Sequence, residues 1–189
     1  MRESARTPRL TYRDYLLIPE DGMRHEILEG EEIVSPSPVP RHQIVLVNLT
    51  LAFGEFIKGK DLGRLLVAPM DVVLADDTVL EPDILFIAKH RLGIIGEKAI
   101  TGAPDLVVEV VSPSSRKVDR REKLRTYQKH GVREYWIADP DARSVEVFVL
   151  KEGRLAPVAA ASLAADSAAR ASSPAVLPGF AVQLADLFS

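Results

Sequence analysis

No cysteine occurs in this chain, which excludes disulfides, thiolate chemistry and cysteine-bound zinc. Any metal site must draw on oxygen ligands and the four histidines, a donor set suited to hard cations such as Mg²⁺, Mn²⁺ or Ca²⁺. No run of about 18 consecutive apolar residues occurs, so no membrane-spanning helix is expected. The opening MRESARTPRL carries charge with no apolar run behind it, unlike a secretory leader. The chain therefore reads as cytoplasmic. An excess of positive charge is also missing: 24 Lys and Arg stand against 27 Asp and Glu, a formal net charge of −3. No global positive field gathers a polyanion onto such a protein, and nucleic-acid binding would need a local basic stripe. There is no internal repeat, no basic low-complexity tail, no glycine-rich phosphate loop and no dinucleotide fingerprint. The last two absences argue against a small-molecule-binding domain.

What is present is ordinary globular material, 47% hydrophobic and 27% charged over 189 residues, enough for one domain with a proper core. The expected unit is a single domain over residues 1–189. Its core covers about 11–150, and a C-terminal extension over 156–189 packs on that core. Residues 11–17 read as a short helix capped by Thr11. HEILEGEEIVS alternates on either side of Glu29-Gly30 as a β-hairpin does. Three prolines among residues 36–40 make SPSPVP an extended loop. Residues 41–58 are long and largely apolar, suiting a helix under a sheet. Strands are expected over 64–68, 71–74, 83–88, 105–111, 134–138 and 145–150. A helix is expected over 116–130, closed by Gly131 in a left-handed cap. Trp136 and Tyr135 belong to the core. The Ala/Ser-rich stretch 158–174 fits helix, irregular edge or mobile chain, and 177–188 tucks back onto the body.

The chemistry concentrates in PDLVVEVVSPSS, residues 104–115. Its apolar run is the mark of a strand buried on both faces, yet Glu109 stands in the middle of it. Alternation puts Glu109 on one face with Val107 and Val111, and Leu106, Val108 and Val110 on the other. A dry carboxylate there costs several kcal/mol or more unless it is paired or bound to a cation. A second acidic edge lies 26 residues earlier, at Glu81-Pro82-Asp83 before ILFIA. Proline fits the first position of a strand, which leaves Asp83 at the strand mouth. If the two strands are neighbours, Asp83 and Glu109 converge on one hard cation, which can polarise a phosphodiester oxygen and acidify a water. Lys123, on the following helix, falls on the flank of the Leu124 and Tyr127 face, near the rim of the sheet. Asp119 and Tyr127 share its flank at i−4 and i+4, and Asp119-x-x-Glu122 has the spacing of a capping box.

These motifs together, HEILEGEEIVSPSPVPRHQ, EPDILFI, PDLVVEVVSPSS followed by D-x-x-x-K, and GVREYWIADP, resemble the Uma-type family within the PD-(D/E)xK, restriction-endonuclease-like superfamily. The likeness runs over about 11–149. It implies an α/β fold with a central mixed β-sheet flanked by helices, preceded by an N-terminal helix and hairpin. By the motifs, Pro82-Asp83 stands at the Pro-Asp and Glu109 at the acid of Glu-x-Lys. The strand position that should hold lysine is Val111, whose carbonyl alone could serve a metal. The lysine role passes to Lys123. Glu26 resembles an additional acid near the metal. His42 and Gln43 match polar positions at the start of the long helix, without an assigned role.

The implied activity is a Mg²⁺- or Mn²⁺-dependent endonuclease acting on nucleic acid, with DNA as the expected polymer and a two-fold homodimer as the expected assembly. Asp83, Glu109, Lys123 and Glu26 are its candidate catalytic residues, and Asp83, Glu109 and Val111 its candidate metal ligands. The alternative is a catalytically silent nucleic-acid-binding or assembly module that keeps the fold, favoured by the missing strand lysine and the net negative charge. Singly, each residue has a plain reading: Glu109 as a buried acid satisfied by arginine or tyrosine, Asp83 as turn chemistry, Lys123 as solvated surface, Glu26 as a hairpin residue. Arg116, Lys117, Arg120, Arg121, Lys123 and Arg125 form the densest basic cluster in the chain, beside the proposed site.

Overall fold

The computed structural model describes residues 9–112 and 115–189. Helix α1 (Tyr12–Tyr15) opens on a reciprocal capping box between Thr11 and Asp14, which satisfies two end donors that so short a helix would otherwise leave bare. Strands β1 (Arg24–Leu28) and β2 (Glu31–Ser35) pair antiparallel about Glu29 and Gly30, at φ +50 and +85. Positive φ at both central residues gives the turn the twist that a two-residue hairpin needs. Helix α2 (Pro40–Lys60) begins with proline in its first turn, where no donor is lost, and stops at Asp61 in a left-handed conformation.

Strands β3 (Gly63–Val67), β4 (Val72–Ala75), β5 (Thr78–Leu80), β6 (Ile84–Ala88), β7 (Ile100–Thr101) and β8 (Leu106–Val110) follow. Helix α3 spans 116–130 in three parts: Arg116–Val118, a π-helical turn at Asp119–Lys123, and Leu124–His130. Gly131, at φ +84, closes it. Strands β9 (Glu134–Asp139), β10 (Ser144–Lys151), β11 (Arg154–Ser162), β12 (Arg170–Ser173) and β13 (Phe180–Gln183) lead to α4 (Leu184–Leu187).

The central sheet is six-stranded and mixed, in the order β11-β10-β9-β8-β6-β3, with only β8 and β9 parallel. The fold is the restriction-endonuclease-like α/β arrangement expected from the motifs. One face of the sheet is covered by α2 through Val45, Leu49, Phe53 and Ile57, which recur every four residues against Ile84, Phe86, Leu106, Val108 and Trp136. On the other face, Val107 and Val111 pack with Tyr127 of α3, and Leu85 and Ile87 pack with Val72 and Ile100. Those last two belong to a second, five-stranded sheet, β2-β1-β5-β4-β7, which the N-terminal hairpin joins. Residues of β6 and β8 thus alternate between two apolar layers, and Glu109 falls on the α3 side.

One open reading is settled and one changes. Of the alternatives for the Ala/Ser-rich stretch the structure takes the edge: it contributes to the edge strand β11 and the β12–β13 ribbon. Ladder hydrogen bonds to β10 hold β11, whose alanines carry little strand signal of their own. Asp119 does not cap α3, which starts at Arg116. The C-terminal elements supply Phe180, stacked on Phe53 at 4.3 Å between ring centroids. Among the described residues no helix is long and apolar enough to cross a membrane.

Candidate functional site

The antiparallel register of β6 and β8 pairs Ile84 with Val108, so one step further Asp83 lies opposite Glu109. Pro82 ends one extended segment and Asp83 starts the next, with its carbonyl oxygen bound by the Ala68 N–H at 3.1 Å. Its carboxylate is buried and almost fully engaged. Oδ2 accepts from the Val110 N–H at 2.7 Å and meets His42 Nε2 at 3.2 Å. Oδ1 accepts from both terminal nitrogens of Arg24 at 3.1 Å. Burial pushes the Asp83 carboxyl up, but His42, Arg24 and the Val110 N–H together hold it below the usual carboxylate range.

Glu109 is 2% exposed. Its Oε1 accepts from the Tyr127 hydroxyl at 2.7 Å and from Lys123 Nζ at 3.0 Å. Burial raises its pKa to about 8, opposed by Lys123 and reinforced by Asp119, Asp83 and Glu26. Lys123 Nζ also lies 2.8 Å from Glu26 Oε1 and 3.7 Å from Asp119 Oδ1. Burial lowers the affinity of Lys123 for its proton, yet Glu109, Glu26 and Asp119 outweigh it and hold the ammonium charged above its usual range. Asp119 is raised, chiefly by burial. Glu26, brought in by β1, accepts from the Glu81 N–H at 2.8 Å.

The structure therefore brings Asp83, Glu109, Lys123 and Glu26 into one cluster, from four separate elements. Lys123 is not at the solvated rim; it is buried at the centre. Asp119 and Lys123, four residues apart on the buried side of α3, lie in a π-helical turn, a distortion that recurs at functional sites. Val111 is buried against Tyr127 and does not line the cleft, whereas its neighbour Val110 does. His42 receives a place, against Asp83, with its Nδ1 buried and, among the described residues, unpartnered. Gln43 lines the same cleft.

Arg24 is the participant that the sequence reading missed. It stands two residues before Glu26 on β1, so the strand period already put the two on one face. It grips Asp83, donates to the Glu81 carbonyl oxygen and lies 3.9 Å from the Glu81 carboxylate. Glu81 in turn accepts from the Tyr15 hydroxyl at 2.9 Å.

These groups line a cleft of about 650 Å³ whose outer wall is the Ser35–Pro38 loop and the start of α2. Five carboxylates (Glu26, Glu81, Asp83, Glu109 and Asp119) face two permanent cations, Arg24 and Lys123, with His42 beside them. The remaining negative charge, and the proton that Glu109 holds through burial and its acidic neighbours, fit a hard divalent cation. As placed, Lys123 and Arg24 occupy the space between the carboxylates, and no three acidic or histidine side chains among the described residues converge on one point.

The profile of a protein family described as "Uma2: Putative restriction endonuclease" matches residues 12–185. A solved structure described as a "putative nuclease belonging to DUF820", from Anabaena variabilis ATCC 29413, superposes with a TM-score of 0.78 at 21% identity. That match covers 95% of this chain and 97% of the other. No curated protein matches this chain.

Proposed function

Because the chain belongs to the Uma2 family of restriction-endonuclease-like proteins, we propose that it is a metal-dependent endonuclease hydrolysing phosphodiester bonds in DNA. Family and fold support a nuclease-like function. The observation that carries the finer reading is the side-by-side approach of Asp83 and Glu109 at the mouths of β6 and β8, with Lys123 in contact with Glu109. Asp83 and Glu109 would hold Mg²⁺ or Mn²⁺. A main-chain carbonyl at the end of β8 would join them, at Val111 as the motif implies or at Val110, which lines the cleft. Glu26 is an outer acid. The ion, when bound, supplies Lewis acidity toward a phosphoryl oxygen and lowers the pKa of water.

The chain's own residues do the rest. Lys123, kept protonated by its three carboxylates, presents an ammonium that can hold a phosphate oxygen and offset charge developing on it. The Tyr127 hydroxyl and Lys123 fix the Glu109 carboxylate so that it does not swing when the charge around it changes. Val110 and His42 orient Asp83 in the same way. Arg24 pairs with Asp83 and lies near Glu81, and loosening that grip frees an Asp83 oxygen. A homodimer would present two such clefts to two strands.

The test is a cleavage assay of wild type against Glu109→Gln on plasmid, linear duplex, single-stranded DNA and RNA, each with Mg²⁺, Mn²⁺ or EDTA. Metal-dependent cutting lost in the variant supports the reading, and equal activity in both overturns the site assignment. The silent-module alternative draws on the full engagement of Asp83 by Arg24, His42 and Val110, and it gains if neither protein cuts any substrate.

A further inference from the structure

Helix α3 turns one face to the cleft and the next face to solvent, and the second face has a feature of its own. Ser115, Val118, Asp119 and Lys123 line the cleft. Arg116, Lys117, Arg120 and Arg121 line a separate, shallow concavity on the adjoining side of the same helix. Its four lining residues are all cationic, in a chain whose net charge is −3.

Two of the four are built in and two are free. Arg116 is anchored to the buried Asp139 at 3.0 Å and lies 3.6 Å from Asp141. Arg120 lies 3.6 Å from Asp139 and is paired with Glu146. Asp139 itself is 2% exposed and also accepts from the Ala142 N–H at 3.0 Å, so these two guanidinium groups rest on a rigid acidic floor. Lys117 and Arg121 are exposed, and among the described residues neither makes an ion pair. They stand four residues apart, hence on one face. Exposed Glu122 is the acidic neighbour along the helix. Three acids beneath four bases leave the concavity with a surplus of positive charge, turned outward through the two unpaired groups.

We infer that this concavity holds a backbone phosphate of the nucleic acid, distinct from the phosphate at Asp83 and Glu109. The inference rests on the nuclease reading and adds the second contact that an acidic protein needs, because phosphate contacts carry most of the affinity for nucleic acid. A helix with its side chains is about 10–12 Å across. Two phosphates held on adjoining sides of α3 are therefore distinct groups, either along one strand or across a groove of a duplex. The ligand chemistry is the phosphodiester backbone in both cases, and base sequence does not enter.

The experiment measures binding of fluorescent oligonucleotides of about 24 nucleotides, duplex and single-stranded, with Ca²⁺ in place of Mg²⁺, across a salt series. Wild type is compared with Lys117→Gln/Arg121→Gln, and with a charge-matched control, Lys58→Gln/Lys60→Gln, at the far end of α2. Each lost phosphate contact lowers the slope of log K against log salt by about 1. The double variant is expected to lose about 1 from that slope, for the one phosphate held, equally for all sequences, while the control matches wild type. A loss on duplex alone assigns the phosphate to the opposing strand, and a loss on both polymers assigns it to the same strand. An unchanged slope in the double variant overturns this inference and leaves the nuclease reading standing. Failure of wild type to bind either polymer overturns both.

Discussion

Replacing Glu109 by glutamine should flatten the pH dependence of stability in the metal-free protein. In the unfolded chain this carboxyl titrates near its ordinary value of 4.5, whereas burial and the neighbouring acids raise it to about 8 in the fold. Folding therefore tightens the hold on a proton. The stabilisation from that proton is complete below about pH 4.5 and is lost as pH rises through about 8. Each pKa unit is worth about 1.4 kcal/mol, so a single isolated group would lose on the order of 5 kcal/mol across the window. The value of about 8 already includes the opposing pull of the Lys123 ammonium. Asp119, raised for the same reason, leaves a residual slope of the same sign in the variant. Glutamine keeps the size of the side chain and can still accept from Tyr127 and Lys123, so packing is preserved.

The assay is urea unfolding of wild type and Glu109→Gln in EDTA at intervals from pH 5 to pH 8.5. Wild type should weaken steadily, and the variant should overtake it near the upper end. Mg²⁺ should restore wild type most at high pH and leave the variant unmoved. Parallel pH profiles, or a variant weaker than wild type at every pH, would refute the account of Glu109 as a carboxyl forced to hold its proton.

Removing the central cation should do the opposite. Lys123→Met leaves Glu26, Glu109 and Asp119 without their shared partner, and a loss of about 3–5 kcal/mol at neutral pH is expected in urea unfolding. In the core, Phe53 packs against both Trp136 and Phe180. Phe53→Ala should cost about 3–5 kcal/mol by the same measurement, because those rings and the sheet cannot close the cavity. Gly131→Ala meets no atom within 4 Å but stands at φ +84, so it should cost about 1–2 kcal/mol through backbone strain alone. Calorimetry showing no drop in Tm for it would contradict the left-handed cap.

Much of the site could be read from local rules because each rule concerns neighbours along the chain. A charged residue inside the run LVVEVV has to be paired or ligated wherever the strand goes, and Glu109 contacts both Tyr127 and Lys123. Pro82 ahead of ILFIA put Asp83 at a strand mouth, and one step of register sets it against Glu109. The cap at Thr11, the turn at Glu29-Gly30 and the stop at Gly131 follow from φ preferences and end donors, which are equally local. The long helix 40–60 announced itself through apolar residues, and the spacing of Val45, Leu49, Phe53 and Ile57 shows which face was needed.

The remainder depended on contacts between distant segments, which leave no local trace. Residues 156–161, four of them alanine, become strand because β10 offers an open edge to pair with. The i, i+2 relation of Arg24 and Glu26 was visible in the sequence, but its meaning came only when β1 was laid beside β5 and the Glu81-Asp83 bend came within reach. Periodicity put Lys123 on the flank of the Tyr127 face, but its burial among Glu26, Glu109 and Asp119 came only with β1 and β8 laid against α3. The sequence by itself determined which residues could not be left alone in a protein interior, since desolvation acts on each group wherever it lands. Which partners answered them was decided by the tertiary structure alone, since Coulomb and hydrogen-bond energies depend on distances that only the assembled sheets define.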